Sequence, residues 1–454
     1  MPPHLLLAIA AILPFLGSAA AIVLPANGMR SSTTSMPTLR LVPGMTNSPS
    51  ITRSIASSRI LVVCLACIGL LYPAVSASGS SVVWAAHWLP TLGVQIVLRL
   101  DGLAWLFAVL VLGIGALVVL YARYYMAAAD PVPRLFSYFL AFVGAMLGIV
   151  LSGNLIQLVV FWELTSIVSF LLIGYWTDNA SARDGARMAL TITAAGGLCL
   201  FVGMVLLGQI VGSYDLGVVL ASGDTIRSSP LYLPALVLVL AGALTKSAQF
   251  PFHIWLPRAM AAPTPISAYL HSATMVKAGI FLMIRFWPVL AGTESWYWIV
   301  GTAGMATMLV GAWSAIFQHD LKGLLAYSTI SHLGLITLLL GLDSPLAVVA
   351  AMIYGIALAG YIAVPTMMTA QAPDRQGQVM AAYSLGAGAS AAVGPLIGTL
   401  LIGPIGIEGV IWVYAVMHLI SAFLCLSIKS AGDGLPATDV QPRLTGRTAD
   451  AQGF

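Results

Sequence analysis

The chain reads as long apolar blocks separated by short polar breaks, from its first residues to about residue 430. Blocks recur near residues 4–24, 60–78, 102–122, 135–151, 154–176, 186–212, 231–257, 265–289, 295–317, 321–341, 345–370, 378–402 and 408–428. A helix needs roughly 20 apolar residues to cross the hydrocarbon core of a bilayer. The pattern therefore predicts an all-α, polytopic transmembrane bundle of about thirteen spans, with the lipid bilayer as its first partner. The first block has the apolar core and small-residue end of a signal peptide but no basic residue before it, and it reads as the first span. Residues 25–59, rich in Ser, Thr, Pro and Arg, read as a flexible basic loop, and the polar segment 431–454 reads as a disordered tail.

The seventh block differs from the rest. Twelve almost wholly apolar residues, LYLPALVLVLAG, lead into ALTKSAQFPFHIWLPRAM at 243–260. Pro251 has no N–H for the carbonyl of Ser247, and Pro257 has none for that of His253. The helix is expected to break between Gln249 and Pro257. Broken backbone at membrane depth persists only where protein buries it or a wet cavity lies beside it, and transporters use such discontinuous helices at ion sites.

Composition agrees with the block pattern. Of 454 residues 59% are hydrophobic and only 7% charged, with a mean hydropathy of +0.98; soluble domains carry about 25% charged residues. Cys64 and Cys67 form a C-x-x-C inside an apolar block with no second pair, which reads as packing rather than metal or redox chemistry. No haem, flavin, nucleotide or iron–sulfur motif is visible, so no cofactor, no enzymatic chemistry and no nucleic-acid partner is expected. With the N-terminus outside and alternating crossings, the inside segments collect most of the basic residues, from Arg30 to Arg447. The outside ones collect Arg99, Arg227 and Arg285. That asymmetry follows positive-inside sorting and places the C-terminus in the cytoplasm of a cell-membrane protein.

A few polar groups remain inside spans. Glu163 lies near the middle of the fifth, where a charge costs about 2.5–3.5 kcal/mol on insertion scales. It reads as a proton or ion relay, or as a static group bonded to a lysine, Thr165 or Ser166. Lys246 is deep in the seventh span, with Gln249, His253 and Trp255 at the expected break. His271 and Lys277 lie on the eighth, separated by about 600° of helix rotation, so they do not share a face. On the tenth, Asp320 suits the helix N-terminus, Lys322 either joins a relay or snorkels to the surface, and His332 is a relay candidate or a packing residue. A buried carboxylate, lysines and histidines together allow proton transfer.

The same residues carry a resemblance. LSGNLIQLVVFWELTSIVSFLLIGYW, LTKSAQFPFHIWLPRAMAAPTPISAYLHSATMVKAGIFL and FQHDLKGLLAYSTISHLGLITLLLGL resemble the proton-translocating antiporter-like subunits, as does LRLDGLAWLFAVLVLGIGALVVLYARYY. These are the large subunits of Mrp-type Na⁺/H⁺ antiporters, the A subunit above all, and the related membrane subunits of respiratory complex I. The resemblance covers about 60–345. It implies partner membrane subunits, a Glu163–Lys246 pair, an eighth-helix relay of His271 and Lys277, and Lys322 and His332 opening a second half. That second half would carry its own broken helix, which does not appear after about Ser344; no lysine occurs between Lys322 and Lys429. Residues of about 350–430, with PDRQG before a Gly-rich block ending GPLIG, resemble instead the last helices of a major facilitator transporter, with a seam near 342–355.

The organisation expected is thus a first span and basic loop at 1–59, an antiporter-like domain at 60–344, facilitator-like helices at 345–430 and the tail. The function expected is that of a membrane subunit exchanging protons for Na⁺ or another monovalent cation. The alternatives are a truncated or fused non-transporting paralogue, a subunit of an NADH:quinone oxidoreductase-like complex, or a facilitator-type solute carrier.

Overall fold

The computed structural model describes residues 2–23, 49–76, 81–89, 94–126 and 130–355. The chain begins with α1 (Pro3–Val23), α2 (Pro49–Leu70), the short α3 (Tyr72–Ser76) and the strands β1 (Val82–Leu89) and β2 (Val94–Leu100). Then come α4 (Gly102–Tyr125), α5 (Val132–Leu151), α6 (Leu155–Ile173), α7 (Ala180–Val211), α8 (Leu216–Ala221), α9 (Gly223–Ser228) and α10 (Tyr232–Lys246). A 3₁₀ turn at Phe252–Ile254 precedes α11 (Trp255–Ala259) and α12 (Thr264–Ala268). A π turn at Tyr269–Ala273 leads into α13 (Met275–Leu290), followed by α14 (Glu294–Ile316) and α15 (Leu321–Gly341).

Among the described residues, 8 helices are long and apolar enough to cross a membrane, the stretch Thr264–Leu290 counting as one, and Ser57–Leu70, Tyr232–Lys246 and Pro345–Gly355 are shorter apolar helices. The chain is a polytopic helical membrane protein. The blocks near 378–402 and 408–428, most of 345–370, the loop at 24–48 and the tail lie outside the described residues.

Two expectations need correction. The fold is not purely α-helical: β1 and β2 pair antiparallel, with Val82 opposite Leu100 and Trp84 opposite Leu98. VVWAAHWL and VQIVLRL are each too short to fill a span, and their β-branched and aromatic side chains suit a short pleated pair. Also, α2 starts at Pro49 rather than near 60. Proline suits the first helical position, and neither glycine nor proline interrupts the chain from there until Gly69, at the end of the helix.

Burial follows pattern. Helix α5 is apolar almost all round, and most of it is buried among α1, α4 and α6, as a helix without a polar face should be. Helix α14 packs against α15 but leaves Trp298, Met305, Leu309 and Trp313 exposed, a face suited to lipid. Helix α7 packs on both α6 and α10.

The hairpin is stitched to one end of the bundle. The Val97 N–H donates to Gln157 Oε1 at 2.7 Å, and the Gly153 N–H to the Val97 carbonyl at 2.7 Å. From there Leu216 N–H reaches the Gly153 carbonyl at 2.9 Å. The starts of α6 and α8 are thereby held in one backbone network.

Candidate functional site

The site is built where α10 stops. Three bonds end this helix: Ser247 N–H to the Ala243 carbonyl, Ala248 N–H to the Thr245 carbonyl, and Gln249 N–H to the Leu244 carbonyl. This is the Schellman arrangement, whose first residue past the cap adopts the left-handed conformation. Here that residue is Ala248, with φ 50°, where glycine usually stands. A left-handed non-glycine residue costs about 1–2 kcal/mol. Surrounding bonds offset it. Trp255 Nε1–H donates to the Thr245 carbonyl at 3.0 Å, and Phe250 N–H to Thr307 Oγ1 of α14 at 2.8 Å. The Ser247 carbonyl, which loses its helical donor to Pro251, accepts the Gln249 side-chain amide at 3.1 Å.

The helix therefore ends at Lys246, before the expected break between Gln249 and Pro257. Pro251 lies in the break as expected. Pro257 does not cause one: it lies in the first turn of α11, where helical N–H groups lack intrahelical partners and a proline is tolerated.

Lys246, the last residue of α10, has a fully buried side chain. Its Nζ donates to Ser166 Oγ at 2.8 Å and to the Trp162 carbonyl at 3.1 Å, both on α6, and stands 5.3 Å from the centre of the Trp162 ring. Asn154 starts α6 by accepting from the N–H groups of Ile156 and Gln157.

Glu163 is one residue further along α6 and turns toward α7. The two charges of the expected pair act on one another electrostatically but are not in contact: no carboxylate oxygen lies within 4.0 Å of Lys246 Nζ, and Glu163 Oε1, buried, has no hydrogen-bond partner among the described residues. The helix geometry explains this. Successive residues point about 100° apart, so Trp162 and Ser166 face α10 while Glu163 faces α7. Nor does Glu163 bond Thr165 or Ser166, whose hydroxyls both lie on the Trp162 carbonyl. Helix α7 makes room with two glycines. A Cβ at Gly197 would overlap Glu163 Oε1, and one at Gly196 would overlap Thr245 Oγ1. Glu163 also borders an open groove of about 480 Å³ between α6 and α7, otherwise lined by apolar side chains such as Val160, Ile167 and Phe201.

The remaining candidates lie apart from this pair. His253 is half-buried, its ring stacked on Phe250 at 5.8 Å. His271 is fully buried in the π turn, 6.3 Å from the Trp255 ring. Lys277, near the start of α13, is buried in an apolar pocket of about 20 Å³ beside Phe107, Ile280 and Ile336, and donates to the Gly355 carbonyl. Lys322 is half-buried. It donates at 3.1 Å to each of the Met260 and Ala262 carbonyls, closing the chain end that follows α11. His332 Nδ1 meets Tyr354 Oη at 2.5 Å. Asp320 caps α15 as the sequence suggests, accepting from Gly323 N–H at 2.7 Å.

Comparison with known proteins gives this arrangement its context. Residues 152–378 match the family profile described as NADH:quinone oxidoreductase/Mrp antiporter, TM, which is half of the chain. The chain belongs to this family. Residues 88–137, the end of β1, β2, α4 and the start of α5, match NADH-Ubiquinone oxidoreductase (complex I), chain 5 N-terminus. The probable K(+)/H(+) antiporter A/B subunit of Rhizobium meliloti (strain 1021) is 70% identical over 295 residues, 65% of this chain and 29% of that protein. The Na(+)/H(+) antiporter A subunit of Alkalihalophilus pseudofirmus is 50% identical over 274 residues, 60% of this chain and 34% of that protein. The chain thus spans about a third of the length of these relatives. The solved Mrp complex from Dietzia sp. DQ12-45-1b contains a chain with TM-score 0.71 and 34% identity, covering 82% of this chain and 38% of that one. The archaeal membrane-bound sulfane sulfur reductase shares the fold, with TM-score 0.67 at 21% identity over 81% of this chain and 70% of that one.

The Mrp antiporter/complex I profile runs past the seam expected near 342–355, to residue 378. The facilitator-like reading of 350–430 falls almost wholly outside the described residues, and neither matched profile reaches beyond 378.

Sequence reading missed two groups of this family member. Ser166 enters the sequence reading only as one alternative acceptor or donor for Glu163, whereas its hydroxyl holds Lys246. Arg285 was placed with the outside segments; it is buried within the span Thr264–Leu290 and binds Asp101, the residue that caps α4. The signal was available: an arginine inside an apolar block needs an acceptor, and Asp101 is an acid at the edge of another.

Proposed function

We propose that this chain is a membrane subunit of a cation/proton antiporter, passing protons through buried carboxylate, amine and imidazole groups in exchange for Na⁺ or another monovalent cation. One observation carries the reading. A fully buried lysine ends a half-helix, and beside its α6 acceptors stands a half-buried glutamate whose buried Oε1 has no hydrogen-bond partner among the described residues. Static structure would pair such charges or replace them, since each costs free energy at this depth. A group that must alternate between charged and neutral forms cannot be paired permanently.

In this reading Glu163 and Lys246 form the first station. His253 lies at the break, His271 and Lys277 continue the path along the eighth span, and Lys322 and His332 lead toward the far half. The relatives named as Na⁺/H⁺ and K⁺/H⁺ antiporter subunits support the class of transport, and the Mrp complex supports further membrane subunits as partners. The reading includes about thirteen spans in the cell membrane, the N-terminus outside and the C-terminus in the cytoplasm. It includes an antiporter-like domain over 60–344 followed by a separate C-terminal group of helices. It assigns transport, not enzymatic chemistry, to the chain.

Cation-driven proton flux in inverted membrane vesicles tests it. Lys246→Ala is expected to abolish flux; unchanged flux would remove the lysine from the mechanism. A second reading, a subunit of an NADH:quinone oxidoreductase-like complex, is favoured by the description of the matched family. Co-purification separates the two: flavin- or iron–sulfur-bearing partners would support the second, small membrane subunits alone the first.

A further inference from the structure

The two acceptors on Lys246 Nζ differ in chemistry. The Trp162 carbonyl, at 3.1 Å, can only accept, so it serves an ammonium but offers nothing to the lone pair of a neutral amine. Ser166 Oγ, at 2.8 Å, can accept or donate. It also lies 3.4 Å from the Trp162 carbonyl, which receives its proton while Ser166 accepts from the ammonium. Both Ser166 and Lys246 are fully buried, and among the described residues Ser166 is the one hydroxyl bonded to this nitrogen.

We propose that Ser166 is a positioning residue for Lys246, its hydroxyl reversing direction as Nζ alternates between ammonium and amine and so holding the nitrogen in one place, off Glu163, in both states. The step balances simply. One proton leaves Nζ for the next acceptor on the path, the nitrogen keeps the electron pair, and Ser166 turns its O–H from the Trp162 carbonyl toward that pair without giving the proton up. Without Ser166 the ammonium retains the Trp162 carbonyl, and Glu163 Oε1, which has no hydrogen-bond partner among the described residues, becomes its best remaining acceptor. The pair would then close and hold the proton. This inference rests on the relay reading above.

The test uses the full chain in membranes together with the subunits that co-purify with it, and compares Ser166→Ala, Ser166→Cys and Ser166→Thr. Cysteine keeps the approximate volume with a weak hydrogen-bonding group; threonine keeps the hydroxyl. Two readouts apply: cation-driven flux in inverted vesicles, and the infrared carboxyl band of Glu163, identified by its loss in Glu163→Gln. Flux is expected to fall about tenfold in the alanine and cysteine variants, the size of effect given by losing one charge-assisted hydrogen bond. Threonine is expected to restore it. The Glu163 band should move in the alanine and cysteine variants, as the freed ammonium reaches the carboxylate, and stay in place with threonine. Should alanine fail to insert, cysteine decides. Cysteine with wild-type flux and an unmoved band overturns the proposal, as does a threonine variant that inserts normally but matches cysteine in both readouts. The band is read without transport. If Lys246→Ala also transports normally, the relay reading falls on that result alone, and the band still judges Ser166.

Discussion

Arg285 grips Asp101 with two parallel hydrogen bonds, Nη1 to Oδ2 at 2.5 Å and Nη2 to Oδ1 at 3.0 Å, across 184 residues of sequence. Arg285 is 6% exposed and Asp101 19%, so the pair is largely withdrawn from solvent, and Arg99 Nε stands 3.5 Å from the same carboxylate. Asp101 also caps α4 through the Ala104 N–H at 3.0 Å. One carboxylate thereby ties α13 to the start of α4, and both of those helices line the Lys277 pocket. Breaking a buried pair by removing one partner costs about 3–5 kcal/mol because the other charge is left uncompensated. Arg285→Ala is expected to lower the thermal midpoint of the detergent-purified chain sharply, and Arg285→Lys to lower it less, since lysine keeps the charge but not the two-pronged geometry.

The same pair sets a pH dependence. Burial pushes the Asp101 carboxyl up, but the hydrogen bond and charge of Arg285, the Ala104 N–H and the charge of Arg99 outweigh it and hold the carboxyl below its ordinary value. A carboxylate depressed in the folded state contributes stability that is complete above its unfolded pKa, about 3.9. That contribution is lost as pH falls through the lower folded value. Thermal midpoints of wild type and Asp101→Asn, followed downward in pH, should differ by a constant amount until about pH 4 and converge below it. Equal midpoints throughout the range above about pH 5 would show that the pair contributes nothing.

Gly197 gives the Glu163 carboxylate its place. Gly197→Ala puts a methyl where Oε1 stands, so the carboxylate must swing out or α7 must retreat. Flux should drop, by at least about tenfold if the Glu163 pose matters to transport, while Gly113→Ala on α4, with open space around it, should behave as wild type. Equal flux in the two variants would separate the Glu163 pose from function.

At Ala248 the expectation concerns the break itself. Ala248→Gly removes the left-handed strain but frees the unfolded chain, and the two effects of about 1 kcal/mol nearly cancel. Ala248→Val places a β-branched side chain at positive φ in a fully buried position, and is expected to destabilise by at least about 2 kcal/mol. Denaturation midpoints of the two variants check the contrast.

Lys277 separates stability from transport. Its amine is buried among apolar side chains with the Gly355 carbonyl as acceptor. Lys277→Met keeps much of the length and removes the polar group, so the chain should be as stable as wild type or more so, while flux falls. A variant that is both less stable and fully active would assign this lysine to packing.

The sequence alone determined that the chain lies in a membrane, that its seventh span is interrupted, and that Glu163, Lys246 and Lys277 are costly groups within spans. Those conclusions depend on transfer free energy and on the missing N–H of proline, and both are local properties of residues. The family likeness over the described spans was legible for the same reason, since the motifs are contiguous. The hairpin was not, because two short strands carry weaker periodicity than a span and stand only when paired. Tertiary structure alone decided who partners whom. Whether Lys246 meets Glu163 or Ser166 depends on the rotation of α6 against α10 and on the glycine notch in α7. That Arg285 finds Asp101 depends on a contact between segments far apart in the chain. Such relations are set by the packing of whole helices, and no local pattern encodes the angle at which one helix presents its side chains to another.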